Sequence, residues 1–210
     1  MNNQDKNTYV KQQITTTLLE LLKEKELSDI NIGEITKKAQ VSRNSFYRNY
    51  ADKEDIIKKY LYQLLSEWDN EWKQKNSDSN AELFGHLFMH LKQHGDMMML
   101  IQMRGLFHLF KESYLTLWGP SETMDNMTAY TVVFVANGIL GWIEEWLKRG
   151  MCESAETMST LLTPYGKTIN VVTFKSHKTV HITMQDHTLT QTFHLPAASF
   201  NMMSYQFLYV

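Results

Sequence analysis

Residues 28–59 read SDINIGEITKKAQVSRNSFYRNYADKEDIIKK, two short amphipathic segments separated by three residues. In the first segment Ile32, Ile35 and Ala39 recur at i, i+3 and i+7. They face a core, while Lys37 and Lys38 point away. Asn31 stands where an N-cap belongs. The joint Gln40-Val41-Ser42 is long enough only for a sharp turn, with Val41 as its apolar plug and Ser42 as N-cap of the next segment. That segment opens with Arg43, Asn44 and Ser45, three compact donors, and turns Phe46 inward at its fifth position. Two crossed helices of which the second is basic and hydroxyl-rich form a helix-turn-helix, whose second helix enters the major groove of DNA tip first. The nucleic-acid contacts expected are Asn31, Lys37, Ser42, Arg43, Asn44, Ser45, Tyr47, Arg48 and Lys53.

These residues also fit a family pattern: Ile32, Ile35, Ala39, Val41, Ser42, Phe46, Tyr47, Tyr50, Lys53, Ile56 and Ile57 resemble the reading head of TetR-type one-component transcriptional regulators. The resemblance implies that Tyr47 and Lys53 grip phosphates and that Arg43, Asn44 and Ser45 face bases. The chain departs from the pattern at Gln40, where the family usually has Gly, at Asn49, where it commonly has His, and at Tyr50, where it most often has Phe. Gln40 bears most on geometry. A side chain in a left-handed turn costs roughly 1 kcal/mol, which predicts a slightly different turn.

At 210 residues and 24.7 kDa the chain has room for a small module and a larger bundle, with enough core to fold without staples. The single Cys152 excludes an intramolecular disulfide and fits a reducing compartment. The opening MNNQDKNTYVKQQ is polar throughout and predicts no signal peptide. The longest apolar run, 132–143, is broken by Asn137 and two glycines, short of the roughly 20 residues of a membrane span. A soluble, cytoplasmic protein without membrane partners is expected.

Charge divides unevenly. Residues 1–59 hold eleven Lys/Arg against nine Asp/Glu, residues 60–162 seven against thirteen, and residues 163–210 three against one. A surplus of two is modest for a nucleic-acid module, so the placement of the cations matters more than their number. Each protomer should bind weakly. Tight binding of double-stranded DNA then calls for a two-fold homodimer reading half-sites one helical turn apart.

The expected fold is all-α. A three-helix helix-turn-helix domain occupies residues 1–52, a helical bundle for ligand binding and dimerisation residues 53–162, and an atypical, possible β-meander tail residues 163–210. Periodicity places helices at about 6–25, from 52 to 75, 81–94, 97–118 with a bend near Gly105, 121–148, and a short one at 154–162 that stops before Pro164. The fourth helix leaves the reading head and enters the bundle, so it is the expected lever. The tail alternates polar and apolar residues as strands do, over 167–174, 178–184 and 188–195.

QHGDMMMLI at 93–101 and ANGILGWIEEWLKRGMCESAETMSTLL at 136–162 are similar to one branch of the family, common in low-GC Gram-positive bacteria. That likeness implies that the last two helices pair with their two-fold mates. Glycine inside a helix costs roughly 1 kcal/mol relative to alanine, so Gly138 and Gly141 signal a close approach. The expected dimer surface is Ala136, Gly138, Gly141, Ile143, Leu147, Met158 and Leu161. An adaptable cavity for a small apolar effector is expected from Met99, Met103, Phe107, Phe110, Tyr130, Phe134 and Trp142, with Asn137 as a polar anchor. A stripe of this composition at helical spacing is also ordinary core.

No cofactor and no metal are expected. His86, His90 and His94 share a helix face, but the outer pair lie about 12 Å apart along the axis at 1.5 Å per residue. His177, His181, His187 and His194 of the tail make a weaker set. Glu144 and Glu145 are adjacent and point apart, and no nucleophile elbow, phosphate loop or H-E-x-x-H occurs, so an enzyme is not expected. The sequence predicts a dimeric repressor released by an effector. The alternatives are an activator or partner-controlled regulator of the same family, and a small-molecule or metal-binding protein with a vestigial helix-turn-helix.

Overall fold

The computed structural model describes residues 3–75, 77, 79–168, 182–184 and 187–189, with side chains over 5–75, 77, 79 and 82–162. Nine helices are found among them: α1 (Asn3–Glu24), α2 (Ile32–Lys38), α3 (Arg43–Asn49), α4 (Lys53–Lys75), α5 (Asn80–Gln93), α6 (Gly95–Met103), α7 (Phe107–Trp118), α8 (Asn126–Lys148) and α9 (Ala155–Thr168). A single 3-10 turn, Leu27–Asp29, joins α1 to α2. Two short strands, β1 (Ile182–Met184) and β2 (His187–Leu189), pair antiparallel with Thr183 opposite Thr188. The rest of the expected meander lies outside the described residues.

The described residues fall into two compact units, one within Met1–Glu67 and Gly95–Leu117, the other within Trp68–His94 and Trp118–Val210. The first unit is built on α1, whose Ile14, Leu18, Leu21 and Leu22 are buried with Ile30, Ile35, Phe46, Ile56, Ile57 and Leu61. The i, i+4, i+7, i+8 spacing along α1 gives one apolar stripe, and α2, α3 and α6 pack against it. The helix pair α6–α7 belongs to this unit because Arg104 binds it there. Its Nε donates to Leu22 O (2.7 Å), Nη2 to Lys23 O (3.0 Å), and Nη1 pairs with Glu26 (2.5 Å). The last carbonyls of α1, which have no partner inside the helix, are capped by a cation from the turn that follows α6. Along α7, the Ser113 hydroxyl donates to Lys58 O (3.2 Å) and Glu112 pairs with Lys58 (2.7 Å).

In the second unit α5 runs closely along α9, where a Cβ on Gly85 would lie 3.3 Å from the Ser159 hydroxyl. Trp146 of α8 is fully buried, edge-on to Phe88 at 5.0 Å, and its indole N–H donates to Glu153 O (3.3 Å). Lys92 closes the α8–α9 loop from α5 by donating to Met151 O and Glu153 O.

Two expected boundaries shift. α8 begins five residues later than the turn at Ser121 suggests, because Asp125 accepts from the N–H groups of Met127 and Thr128 and so caps the helix there. α9 does not stop at Leu162 but runs through Pro164 to Thr168. A proline removes one backbone donor and bends a helix without always ending it.

Candidate nucleic-acid interface

Both short helices of the first unit are capped as their sequences predict. Asn31 accepts from Glu34 N–H (2.9 Å) and Ser42 from Ser45 N–H (3.0 Å). Ala39 N–H returns to Ile35 O, Val41 N–H reaches back to Thr36 O, and Gln40 takes φ 54 between them. The turn therefore holds Gln40 itself in the left-handed region. Backbone bonding on both sides holds the glutamine where glycine would sit without strain.

Phe46 is completely buried, and Tyr47 meets it edge-on at 5.4 Å while remaining 58 % exposed. Tyr50 is buried, its hydroxyl 3.2 Å from that of Thr15 on α1. These contacts fix which side of α3 faces outward. Arg43, Asn44, Tyr47 and Arg48, at i, i+1, i+4 and i+5, share the exposed side, with Lys37 and Ser42 exposed beside them. Ser45 is half-buried, and its hydroxyl accepts from Ser42. Arg43 lies back against α2: a Cβ on Gly33 would be 2.9 Å from its Nη2 and 3.9 Å from its Cζ. The sequence carried no separate signal for this role of Gly33, since a side chain folding over a glycine needs the tertiary geometry.

Lys53 extends the sequence reading. Its ammonium donates to Leu27 O (2.6 Å) and Ile30 O (2.5 Å) and reaches Ser28 O at 3.5 Å. Lys53 thus braces the 3-10 turn and the entry to α2, a role that the phosphate contact expected of it did not include. Lys59 does the same for the exit of α3, donating to Asn49 O and to Asp55 at 2.8 Å each, with its ammonium 5.2 Å from the Tyr50 ring. The Asp55 carboxyl titrates below its ordinary value: burial acts to raise it and is outweighed by hydrogen bonds from Lys59 and Ala51 N–H.

The eight expected cavity residues are divided equally between the two units. Phe107 and Phe110 are buried and stacked on each other at 5.4 Å in the first unit, where Met99 is half-buried and Met103 is 69 % exposed. Tyr130, Phe134 and Asn137 stand on the exposed face of α8 in the second unit, and Trp142 is half-buried. Asn137 bonds its own helix, donating to Val133 O (2.8 Å). The expected dimer residues divide similarly: Ala136, Ile143, Leu147 and Met158 are buried in the second unit, whereas Gly138, Gly141 and Leu161 are exposed. A groove of about 340 Å³ between α8 and α9 is lined by Gly141, Trp142, Glu145, Trp146, Arg149, Glu153, Met158 and Leu161.

His86 lies over Trp72 and Trp68, and its imidazole is harder to protonate than usual, through burial first and then the charge of Lys75, against the pull of Glu71. His90 is buried with Nδ1 3.7 Å from Glu71, and its ring is 5.0 Å from that of His94. Among the described residues no group of three His, Cys, Asp or Glu gathers where an ion could be held. The four tail histidines lie outside the described side chains. By length and composition α8 would also pass as a membrane span, but one side of it, including Val132, Val135, Ile139, Ile143 and Trp146, packs into the second unit.

Comparison with known proteins bears on this arrangement. Residues 78–165 match the TetR-type family described as "Transcriptional regulator C-terminal region". Comparison with curated proteins gives no match. Three solved structures share the fold. One, from Syntrophomonas wolfei, is described as a TetR-family transcriptional regulator (18 % identity, TM-score 0.56, 77 % of this chain and 95 % of that one). A TetR transcriptional regulator from Streptococcus agalactiae is 17 % identical at TM-score 0.53, covering 77 % and 96 %. Lin0861 from Listeria innocua is 14 % identical at TM-score 0.62, covering 80 % and 94 %. Residues 78–165 thus match the C-terminal region of TetR-type transcriptional regulators, on a fold shared with solved TetR-family regulators.

Proposed function

We propose that the protein is a cytoplasmic, dimeric regulator that binds an operator in double-stranded DNA through α2 and α3 and acts as a repressor. The observation that carries this is the exposed face of α3. Arg43, Asn44, Tyr47 and Arg48 project together from a helix pinned by Phe46 and capped by Ser42, with no acidic residue on that face. In a helix-turn-helix the second helix reads base edges while the first crosses the backbone. On this reading Arg43 and Asn44 read bases, and Lys37, Ser42, Tyr47 and Arg48 hold phosphates. Support for the homodimer comes from α8, where Met127, Tyr130 and Phe134 are each more than half exposed on one face. The repressor role, and relief by a small apolar effector with α4 as lever, rest on the family likeness.

The exposure of Tyr130, Phe134 and Asn137 on α8 favours a second reading, in which a partner protein controls the regulator and no inducer binds. The experiment that tests the DNA reading is selection from random fragments by the purified protein, followed by a salt titration of the selected site. A two-fold symmetric site with half-sites one helical turn apart, bound more weakly as salt rises, is the expected result. Retention without sequence preference would leave the helix-turn-helix vestigial.

A further inference from the structure

Glycine stands at the second position of α2, a helix of seven residues that alanine would hold better. The backbone there does not call for it, since the left-handed glycines among the described residues are Gly105 and Gly150. What the missing side chain leaves is space. A Cβ on Gly33 would come 2.9 Å from Arg43 Nη2, 3.9 Å from its Cζ and 3.2 Å from the Asn31 oxygen that caps α2. The guanidinium at the start of α3 therefore rests on the bare backbone of α2. Ser42 and Phe46 fix the Cα of Arg43 by capping and anchoring its helix, so the freedom left to Arg43 lies along its side chain. The space over Gly33 takes up that freedom.

We propose that Gly33 is a positioning residue for sequence recognition: it seats the Arg43 guanidinium against α2, so that the fork meets a base pair in one orientation. The inference rests on the DNA reading and adds to it a residue that acts on bases through Arg43. An arginine side chain is rich in rotamers, and fixing them on binding weakens the contact. A guanidinium already seated gives up less freedom. It also presents its donors as a planar pair, which guanine O6 and N7 accept together. Without the seat the same charge still finds a phosphate, a contact that carries no sequence information. Gly33 thus separates discrimination from affinity. A Cβ at position 33 displaces the far end of a flexible, exposed side chain, so the helix pair keeps its packing and Arg43 loses its aim.

The test is Gly33→Ala in the full chain, read against the site that the wild type selects from random fragments. Discrimination, the ratio of the dissociation constants for a random duplex and for the selected site, is expected to fall about tenfold, within what one bidentate base contact supplies. Affinity for the random duplex stays within about twofold, since phosphate contacts persist. The urea midpoint holds or rises, because alanine favours the helix. A residue that only held the fold would lose midpoint and discrimination together. Base-pair substitutions in the selected site locate the change: one G·C pair in each half-site that the wild type requires becomes neutral to the variant. Arg43→Lys keeps the charge and loses the fork, so it should reproduce the loss, and Gly33→Ala added to it should cost nothing further. Unchanged discrimination, a lowered urea midpoint, or additive losses in the double variant, which would place the effect at the Asn31 cap, overturn the proposal and leave the DNA reading intact. A wild-type chain that selects no site overturns both.

Discussion

Gln40 and Met151 both hold left-handed backbone, φ 54 and 53, yet the same substitution should act oppositely on them. Gln40 is exposed, so Gln40→Gly removes a penalty of 1–2 kcal/mol while loosening the unfolded chain by 0.4–1. A net gain of roughly 0.5–1 kcal/mol in urea unfolding is expected. Met151 is buried, and losing its side chain costs about 2–5 kcal/mol, which outweighs any backbone relief, so Met151→Gly should destabilise. Lys53 allows a sharper decision between roles. Hydrogen bonds from a charged group are worth about 1.5–3 kcal/mol, so Lys53→Met should lower stability by about 2 kcal/mol and weaken DNA binding with it. A phosphate contact would behave differently, with affinity falling at an unchanged unfolding midpoint.

At the level of helices, α8 depends on the Asp125 cap. The Asp125 carboxyl titrates below its ordinary 3.8: desolvation acts to raise it and is outweighed by hydrogen bonds from the Thr128 hydroxyl and the N–H groups of Thr128 and Met127. A depressed carboxyl contributes stability above the unfolded value and loses it as pH falls through the folded one. Hydrogen-exchange protection of residues 127–129 should therefore hold steady above about pH 4 and decline below it, and Asp125→Asn should abolish that step. The reading head was legible because its signals are local: caps at Asn31 and Ser42, an apolar i, i+3, i+7 stripe, and an inward Phe46. The start of α8 was not, since Ser121 and Asp125 are equally good caps on paper. The expected cavity residues were less legible for a different reason. Periodicity shows that Tyr130 and Phe134 share a face, but only packing shows that this face is the outer one. Arg104 carried no signal, because its partners at Leu22, Lys23 and Glu26 lie some eighty residues earlier in the chain.

For the whole molecule, a formal charge of −2 gives little general attraction for DNA, and in the proposed dimer binding comes from cations placed in two heads at once. Each phosphate contact adds about 0.9 to the slope of log affinity against log salt. A monomeric variant such as Tyr130→Glu/Phe134→Glu should show about half the wild-type slope on the operator. An unchanged slope would mean that one head does all the work. The two compact units are interleaved in the sequence, since residues 95–117 complete the unit that residues 1–67 begin. That ordering governs events at the ribosome. When residue 67 has been made, α1 still lacks the Arg104 cap on its final carbonyls and α4 lacks Ser113 and Glu112. The nascent reading head must wait, incomplete, while α5 is synthesised, and a gene fragment ending after α4 encodes a head that never receives its missing helices.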